Sequence, residues 1–313
     1  MDETSNSHVR SLRVFANKRV YLVKRSKIKM DEKNVQSIRL NDGTSLPSIG
    51  FGTVKVKGAQ GVVSTLSAIE AGYRLIDTST NYNNEGMVGE AVRRSSVPRE
   101  ELMISSKLPG ASHEYDRAIL MIQESLYRIG IDYFDKYLIH WPLPKQGQYV
   151  EAWQALVDAQ KFGLIKTIGV SNFLPEHLER IIEETGVTPA TNQIERHPYF
   201  TNNELVEYNK SRGIVTEAWS PLGRELNDVL ENETIVSIAK KYNKEAAQII
   251  IRWNLQNDIL TVVKSSNYDH QKANLDVFDF ELTEEDMRQI DSLDKGEAGR
   301  VEGQHPNEYE EFD

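Results

Sequence analysis

Four polar residues, each at or just after the end of a short apolar run, could together perform acid–base chemistry. They are Asp77, Tyr82, Lys107 and His140. A free tyrosine has a pKa of about 10, but a neighbouring lysine ammonium favours the phenolate and lowers that pKa. An aspartate can hold the lysine charged and in place, and a histidine can donate a hydrogen bond to a carbonyl oxygen. The set predicts proton delivery to a carbonyl that receives a hydride from elsewhere.

The sequence lacks the patterns that several other catalytic chemistries require. It contains no cysteine, which excludes thiol nucleophiles and thiolate metal sites. Its histidines stand singly, without a second histidine at metal-binding spacing, so we predict no metal site. The GVSNF stretch at 169–173 breaks the Gly-x-Ser-x-Gly pattern of serine hydrolases. His113 and His177 are interpreted as solvated residues at helix ends.

Eight short apolar runs, which we interpret as strands, alternate with helical patterns. The predicted strands are 48–53, 73–77, 102–107, 136–140, 166–170, 190–194, 214–219 and 260–264. Helices are predicted between them, for example over 149–161, over 175–184 and along an apolar stripe from Tyr115 to Ile129 that Gly130 ends. Strand–helix alternation implies right-handed crossovers and a parallel sheet, and eight such units predict a closed (β/α)8 barrel of the TIM type.

An open, doubly wound α/β sheet is the competing architecture. Its usual fingerprint, G-x-G-x-x-G, would have to start at Gly50-Phe51-Gly52, and Lys55 stands where the third glycine is needed. Before the first barrel strand, residues 38–40 and 45–46 flank a turn in which Asp42-Gly43 suits a tight hairpin. We expect this N-terminal β-hairpin to plug the bottom of the barrel.

Charge is distributed unevenly along the 313 residues. The total is −10, but residues 1–29 hold eight basic and two acidic residues, which leaves −16 for the remainder. So acidic a chain is not expected to bind nucleic acid, and no apolar run reaches the ~18 residues of a membrane span. We expect residues 1–29 to be a disordered extension or a leader upstream of a second start at Met30. Residues 30–313 are then the barrel domain of a cytoplasmic protein.

At these motifs the chain resembles the aldo-keto reductase family, over about residues 35–313. The resemblance is carried by IGFGT (49–53), GYRLIDTSTNYNNEGMVGEAV (72–92), SSKL (105–108), LIHWP (138–142), GVSNF (169–173), NQIERHPY (192–199), WSPLG (219–223) and VVKSS (262–266). It implies a barrel that uses NADPH to reduce a small-molecule carbonyl: an aldehyde, ketone, keto-sugar or dicarbonyl. It also implies a monomer, with Tyr82 as the proton donor assisted by Lys107, Asp77 and His140. The turn at 107–110 looks like that of bacterial members named 2,5-diketo-gluconate reductases.

The resemblance further implies which residues contact the cofactor and the substrate. The cofactor set is Gly52, Thr53, Asp77, Ser171, Asn172, Gln193, Trp219, Ser220, Pro221, Leu222, Lys264, Ser265, Ser266, His270 and Asn274. Within it, the residues at 171, 172 and 193 would hold the nicotinamide carboxamide and Trp219 would stack on the ring. Those at 220–222 would follow the pyrophosphate, and those from 264 onward would match the adenosine end. The substrate set is Tyr82, His140 and Trp141.

Two positions depart from the family pattern. His270 stands where many members have an arginine against the 2′-phosphate, and neutral histidine binds phosphate less well than the planar arginine fork. Lys264 and Ser265 remain, so NADPH is still favoured over NADH. Pro109 replaces a tryptophan that many members carry, which removes an aromatic wall from the substrate pocket.

Three alternatives stay open at this point. Trp141 either lines the substrate pocket or serves packing. Residues 296–313 either form the C-terminal loop over the barrel mouth or fray as a polar tail. A nucleotide-binding barrel that acts as a regulatory or interaction subunit, with little turnover, is the alternative to an enzyme.

Overall fold

The computed structural model describes residues 36–224 and 228–311. These begin with a hairpin of two antiparallel strands, β1 (Ser37–Arg39) and β2 (Ser45–Pro47). Its turn contains Gly43 at φ 86°, a backbone conformation that glycine adopts without steric cost. The extension predicted over residues 1–29 lies outside the described residues, and it stays a prediction.

Eight parallel strands follow and close into a barrel. They are β3 (Ile49–Gly52), β4 (Leu75–Asp77), β5 (Met103–Leu108), β6 (Phe134–Ile139), β7 (Ile165–Ser171), β8 (Thr191–Glu195), β9 (Val215–Trp219) and β10 (Leu260–Val263). Each strand pairs with the next along the chain, and β10 pairs with β3 to complete the ring. The predicted (β/α)8 TIM barrel is confirmed.

Ten α-helices lie in the described part of the chain, most of them between strands. They are α1 (Gly58–Ala71), α2 (Glu85–Arg94), α3 (Tyr115–Ile129), α4 (Tyr149–Lys161), α5 (Pro175–Thr185), α6 (Asn203–Ser211), α7 (Glu233–Tyr242), α8 (Ala246–Gln256), α9 (Tyr268–Leu275) and α10 (Glu284–Asp291). The predicted stripe of α3 buries Ile122, Leu126 and Ile129, and Gly130 ends the helix at φ 76°. None of these helices is long and apolar enough to span a membrane.

The first turn between helix and strand shows why one predicted boundary was early. The sequence pattern starts the strand at Tyr73, whereas β4 begins at Leu75. The Tyr73 amide donates to the Ala68 carbonyl, so this residue still completes the C-terminal end of α1 after Gly72. The Tyr73 amide could bond either to the end of α1 or to a neighbouring strand. The carbonyl of α1 is only five residues away in the chain, and it takes the hydrogen bond.

The hairpin closes the end of the barrel at which the strands begin. Leu40 and Leu46 are 4% and 2% exposed, and they cluster with Leu75 and Leu260, the first residues of β4 and β10. The Thr44 hydroxyl lies 3.0 Å from that of Thr167 on β7. The predicted plug is therefore present, and it leaves the carboxyl ends of the strands as the open mouth.

Candidate active site

Three neighbouring strands bring the predicted acid–base residues to one place at the mouth. Asp77 ends β4, Lys107 lies one residue before the end of β5, and His140 directly follows β6. Tyr82 ends a short 3-10 helix, Thr80–Tyr82, that follows β4. The Ser79 hydroxyl caps this helix at its start, and Asn83 terminates it in the left-handed conformation at φ 52°.

Lys107 is a buried ammonium with two close oxygen partners. Its Nζ donates to Asp77 Oδ2 at 2.6 Å and to the Thr78 carbonyl at 2.9 Å. Lys107 and Asp77 are only 1% and 3% exposed. Burial acts to lower the pKa of Lys107, but the Asp77 carboxylate, with Tyr82 and Glu217 adding to its effect, raises that pKa overall. Lys107 is therefore positively charged at neutral pH.

The ammonium lies against the tyrosine, although its effect on the phenol differs from the expectation. Lys107 Nζ is 5.3 Å from the centre of the Tyr82 ring. Burial raises the pKa of Tyr82, and this outweighs the lowering by Lys107, which is the largest opposing influence. The expected lowering by Lys107 is present, but in the protein alone burial outweighs it, and spacing in the sequence does not reveal burial. Tyr82 keeps its proton at neutral pH, as a proton donor must.

His140 completes the group from the third strand. Its ring lies edge-to-face with Tyr82, with 5.9 Å between ring centres and 77° between planes. Its Nδ1 contacts the carboxylate of Glu311, a residue near the C-terminus, and lies 3.4 Å from the Ser79 hydroxyl. Burial tends to raise the pKa of Glu311, but the His140 ring and the Gly110 amide lower it. No pattern in the sequence predicted that a carboxylate near the C-terminus would reach this histidine.

The segment that follows α10 lies over the mouth, as predicted for a C-terminal loop rather than a frayed tail. The Val301 amide donates to Glu195 Oε1 at 2.8 Å. The Tyr309 ring packs on Trp141 with 4.3 Å between centres, which leaves Trp141 4% exposed. Glu311 accepts a hydrogen bond from the Gly110 amide. Trp141 thus contributes to the packing of this loop, and its predicted substrate contact stays a prediction.

Beside the acid–base group, the predicted carboxamide-binding residues form one hydrogen-bonded cluster. Asn172 donates from Nδ2 to the His140 carbonyl and to the Ser171 hydroxyl, each at 3.0 Å. Its Oδ1 accepts from the Trp219 indole at 2.7 Å, and the Ser171 hydroxyl donates to the Gln193 carbonyl at 2.8 Å. Side chains from β7, β8 and β9 are thereby fixed relative to one another.

Gln193 also connects this cluster to a charged pair inside the barrel that sequence reasoning missed. Its Nε2 donates to Asp77 Oδ1 at 3.2 Å and to Glu217 Oε2 at 3.0 Å. Lys136 Nζ lies 2.5 Å from both Glu217 oxygens, and neither residue of that pair is exposed. The sequence did contain a signal for this pair, because Lys136 in KYLIH and Glu217 in IVTEAW are charged residues within otherwise apolar strands.

A cavity of about 350 Å³ opens beside Tyr82. It is lined by eight of the predicted site residues: Gly52, Thr53, Asp77, Tyr82, Ser220, Pro221, Leu222 and Lys264. Sequence reasoning missed Lys55 and Arg224, which add two cationic side chains to its wall. Three cations along one groove suit a polyanionic ligand, so the residues present fit a phosphate-bearing dinucleotide.

The remaining predicted cofactor residues lie farther out, beyond β10. Ser265 Oγ donates to the Asn267 carbonyl, and Ser266 lines a second cleft together with Lys55. His270 is exposed on α9, whereas Asn274 on the same helix is 3% exposed. Their predicted contacts with adenosine stay predictions.

The interpretation of two histidines as solvated was wrong. His113 and His177 are 1% and 2% exposed. His177 Nδ1 accepts from the Leu174 amide at the start of α5, and its ring packs edge-on against Phe173. His113 follows the turn that carries Gly110, and neither of its ring nitrogens has a hydrogen-bond partner among the described residues.

Comparison with known proteins agrees with this geometry. Residues 48–295 match the sequence profile of the Aldo/keto reductase family. The chain is 42% identical to 2,5-diketo-D-gluconic acid reductase B of Corynebacterium sp., over 89% of this chain and 99% of that protein. It is also 42% identical to methylglyoxal reductase DkgA of Escherichia coli (strain K12), over 84% of this chain and 95% of that protein.

Solved structures are equally similar. The apo form of Gox0644 superposes with a TM-score of 0.83 at 41% identity, covering 88% of this chain and 98% of that one. A Gox0644 mutant in complex with NADPH gives a TM-score of 0.83 at 40% identity over the same shares. The chain belongs to the aldo/keto reductase family. It is an NADPH-dependent oxidoreductase that reduces small-molecule carbonyls, and the regulatory alternative is not favoured.

Proposed function

We propose that Tyr82 gives its proton to the carbonyl oxygen of the substrate while His140 donates a hydrogen bond to the same oxygen. One observation carries this proposal: Lys107 Nζ is held 2.6 Å from Asp77 Oδ2 and 5.3 Å from the Tyr82 ring centre. The ammonium stabilises the phenolate that Tyr82 becomes after it gives up its proton, and Asp77 keeps the ammonium charged and in position. His140, at right angles to the phenol, orients the oxygen that receives the proton.

The hydride comes from the nicotinamide when NADPH is bound. In this proposal Ser171, Asn172 and Gln193 hold its carboxamide, and Trp219 offers an indole face for stacking. Lys55 and Arg224, which line the same cavity as Ser220, counter the charge of the pyrophosphate. Because the cofactor is fixed at the strand ends next to Tyr82, hydride and proton reach the same carbonyl.

The test of the acid–base group is Tyr82→Phe, which removes only the hydroxyl. We expect kcat for an aldehyde to fall by at least about a hundredfold, the usual contribution of a general acid. Affinity for NADPH, measured by quenching of protein fluorescence, should stay within about twofold of the original because the ring remains. Tyr127→Phe, at an exposed position of α3, is the matched control. An unchanged rate in Tyr82→Phe would disprove the mechanism.

The preference for NADPH depends on the outer part of the groove. Lys264 lines the cavity and is exposed, so its ammonium is free to approach a 2′-phosphate. We expect kcat/KM to be higher with NADPH than with NADH, and His270→Arg to widen that ratio because arginine binds phosphate as a charged fork. Steady-state kinetics with both cofactors measure this. A ratio in favour of NADH would contradict it.

We propose that the loop of residues 296–311 borders the substrate pocket. Tyr309 on Trp141 and Glu311 at His140 support this, because both contacts lie next to the proposed site of proton transfer. The substrates we propose are aldehydes, ketones, keto-sugars and dicarbonyls, in keeping with the names of the diketo-gluconic acid and methylglyoxal reductases. We further propose a cytoplasmic monomer that does not bind nucleic acid.

A further inference from the structure

A row of five hydrogen-bonded polar side chains crosses the inside of the barrel beneath the proposed nicotinamide position. A lysine stands at each end, a carboxylate lies next to each lysine, and an amide is in the middle. In order they are Lys107, Asp77, Gln193, Glu217 and Lys136. Each is at most 3% exposed. The acid–base mechanism uses the first two, and the proposed cofactor contact uses the third. Glu217 and Lys136 have no part in either.

The amide of Gln193 has its two N–H groups directed at two different carboxylates. Nε2 lies 3.2 Å from Asp77 Oδ1 and 3.0 Å from Glu217 Oε2. An amide can turn by 180° and exchange its donor and acceptor ends. The turned state of Gln193 would place its carbonyl oxygen against two anions, so that state is strongly disfavoured. With both N–H groups used, the group that Gln193 can still offer is the acceptor Oε1.

The buried charge of Glu217 is balanced inside the barrel. Lys136 Nζ lies 2.5 Å from each carboxylate oxygen. A buried ion pair of this kind generally gives no more stability than two well-packed apolar residues would. The charged groups are therefore better explained by what they orient than by the stability they add.

We propose that Glu217 is a positioning residue. Together with Asp77 it fixes Gln193 so that Oε1 accepts a hydrogen bond from the carboxamide NH2 of the nicotinamide, and Lys136 balances its charge. The proposal rests on the proposed placement of the carboxamide against Gln193. It predicts selectivity for cofactors that carry an amide N–H at this position.

The test compares NADP+ with its 3-acetylpyridine analogue, in which a methyl group replaces the carboxamide NH2. Kd values are measured by calorimetry without substrate. Removing Glu217 alone would leave Lys136 buried and unpaired, so both are replaced together. Lys136→Met with Glu217→Leu removes one of the two acceptors for Gln193 and leaves Asp77. The matched control, Lys136→Met with Glu217→Gln, removes the two charges and keeps an acceptor oxygen at 217.

We expect the original protein to bind NADP+ about five- to tenfold more tightly than the analogue, the effect of one hydrogen bond. The Glu217→Leu double variant should discriminate only about two- to threefold, because Asp77 alone then disfavours the turned state of Gln193. The Glu217→Gln double variant should keep most of the discrimination. Thermal unfolding without cofactor establishes that each variant is folded. If the Glu217→Leu variant does not fold, Lys136→Leu with Glu217→Met places an unbranched side chain, closer in shape to glutamate, at position 217 and carries the same expectation.

The outcomes distinguish a failure of the role of Glu217 from a failure of the proposed carboxamide contact with Gln193. If the original protein binds both cofactors equally, the placement of the carboxamide against Gln193 is wrong, and this inference fails with it. If the original protein discriminates and a folded variant without the acceptor discriminates equally well, only the role of Glu217 is wrong. A parallel loss of affinity for both cofactors in that variant would show a merely structural role and would also overturn the inference.

Discussion

At Tyr82, two physical effects act in opposite directions on one proton. Burial of the hydroxyl raises the pKa, and the Lys107 ammonium lowers it by less. The same ammonium is itself kept charged by Asp77 against the effect of burial. In the proposed mechanism the phenol keeps its proton until the hydride is transferred, and the ammonium beside it then stabilises the phenolate that remains. The reactivity of the tyrosine therefore depends on the enclosure as much as on the neighbouring charges.

His113 provides a prediction about pH. Burial lowers the pKa of His113 to about 4, whereas the unfolded chain takes up this proton near its ordinary value of 6.5. The unfolded state therefore binds more protons between these values, and the free energy of unfolding falls as the pH falls, by up to about 3 kcal/mol. His113→Leu removes this titration, so its stability should depend less on pH.

Urea unfolding at about pH 7 and about pH 5 measures the effect. His270→Leu, at an exposed position of α9, is the matched control and should leave the pH dependence unchanged. Equal pH dependence in the original protein and in His113→Leu would contradict the prediction. It would mean that His113 is accessible to solvent protons in the folded state.

At the scale of elements, the C-terminal segment joins parts of the mouth that are far apart in the chain. It contacts Trp141 through Tyr309 and reaches both His140 and Gly110 through Glu311. Deletion of residues 300–313 should raise KM for carbonyl substrates about fivefold or more, the equivalent of one lost aromatic contact, and should change KM for NADPH much less. The reason is that these contacts lie on the His140 side of Tyr82, away from the groove that Lys264 lines.

Steady-state kinetics with one aldehyde and NADPH test this prediction. Glu302→Gln, at an exposed position of the same segment, is the control and should behave like the original protein. Equal increases in both KM values, or no increase in either, would argue against a substrate-binding role for the segment.

At the scale of the whole molecule, the residues that close and stabilise the barrel lie at one end of its axis, and the candidate active site lies at the other. The hairpin closes one end and the chemistry lies at the other, which is the general arrangement in this fold. Leu46→Ala empties space under the strand starts and should lower the free energy of unfolding by about 2–5 kcal/mol. It should leave KM for NADPH and for the carbonyl substrate unchanged.

Urea unfolding and steady-state kinetics on the same preparation measure both quantities. Ile38→Ala on the facing strand is the control, and it should cost less because Ile38 is only half-buried. A change in either KM on replacing Leu46 would show that the two ends of the barrel are coupled.

The sequence by itself determined the architecture and much of the site. The alternation of strands and helices predicts the order of the strands around the barrel. A closed parallel barrel brings the carboxyl ends of its strands together, regardless of the lengths of the segments that connect them. Asp77, Lys107 and His140 could be placed side by side because they end successive apolar runs. The limits of α4 were also readable, since they depend on contacts only a few residues apart.

The tertiary structure alone decided the features that depend on enclosure or on distant partners. The Glu217–Lys136 pair joins residues 81 positions apart, and the Glu311–His140 contact joins the last described residue to the residue that follows β6. The burial of His113 and the raised pKa of Tyr82 depend on what surrounds each group in three dimensions. Periodicity records which side of an element faces the core. It does not record how deep a polar atom lies there or which charge from another strand will meet it.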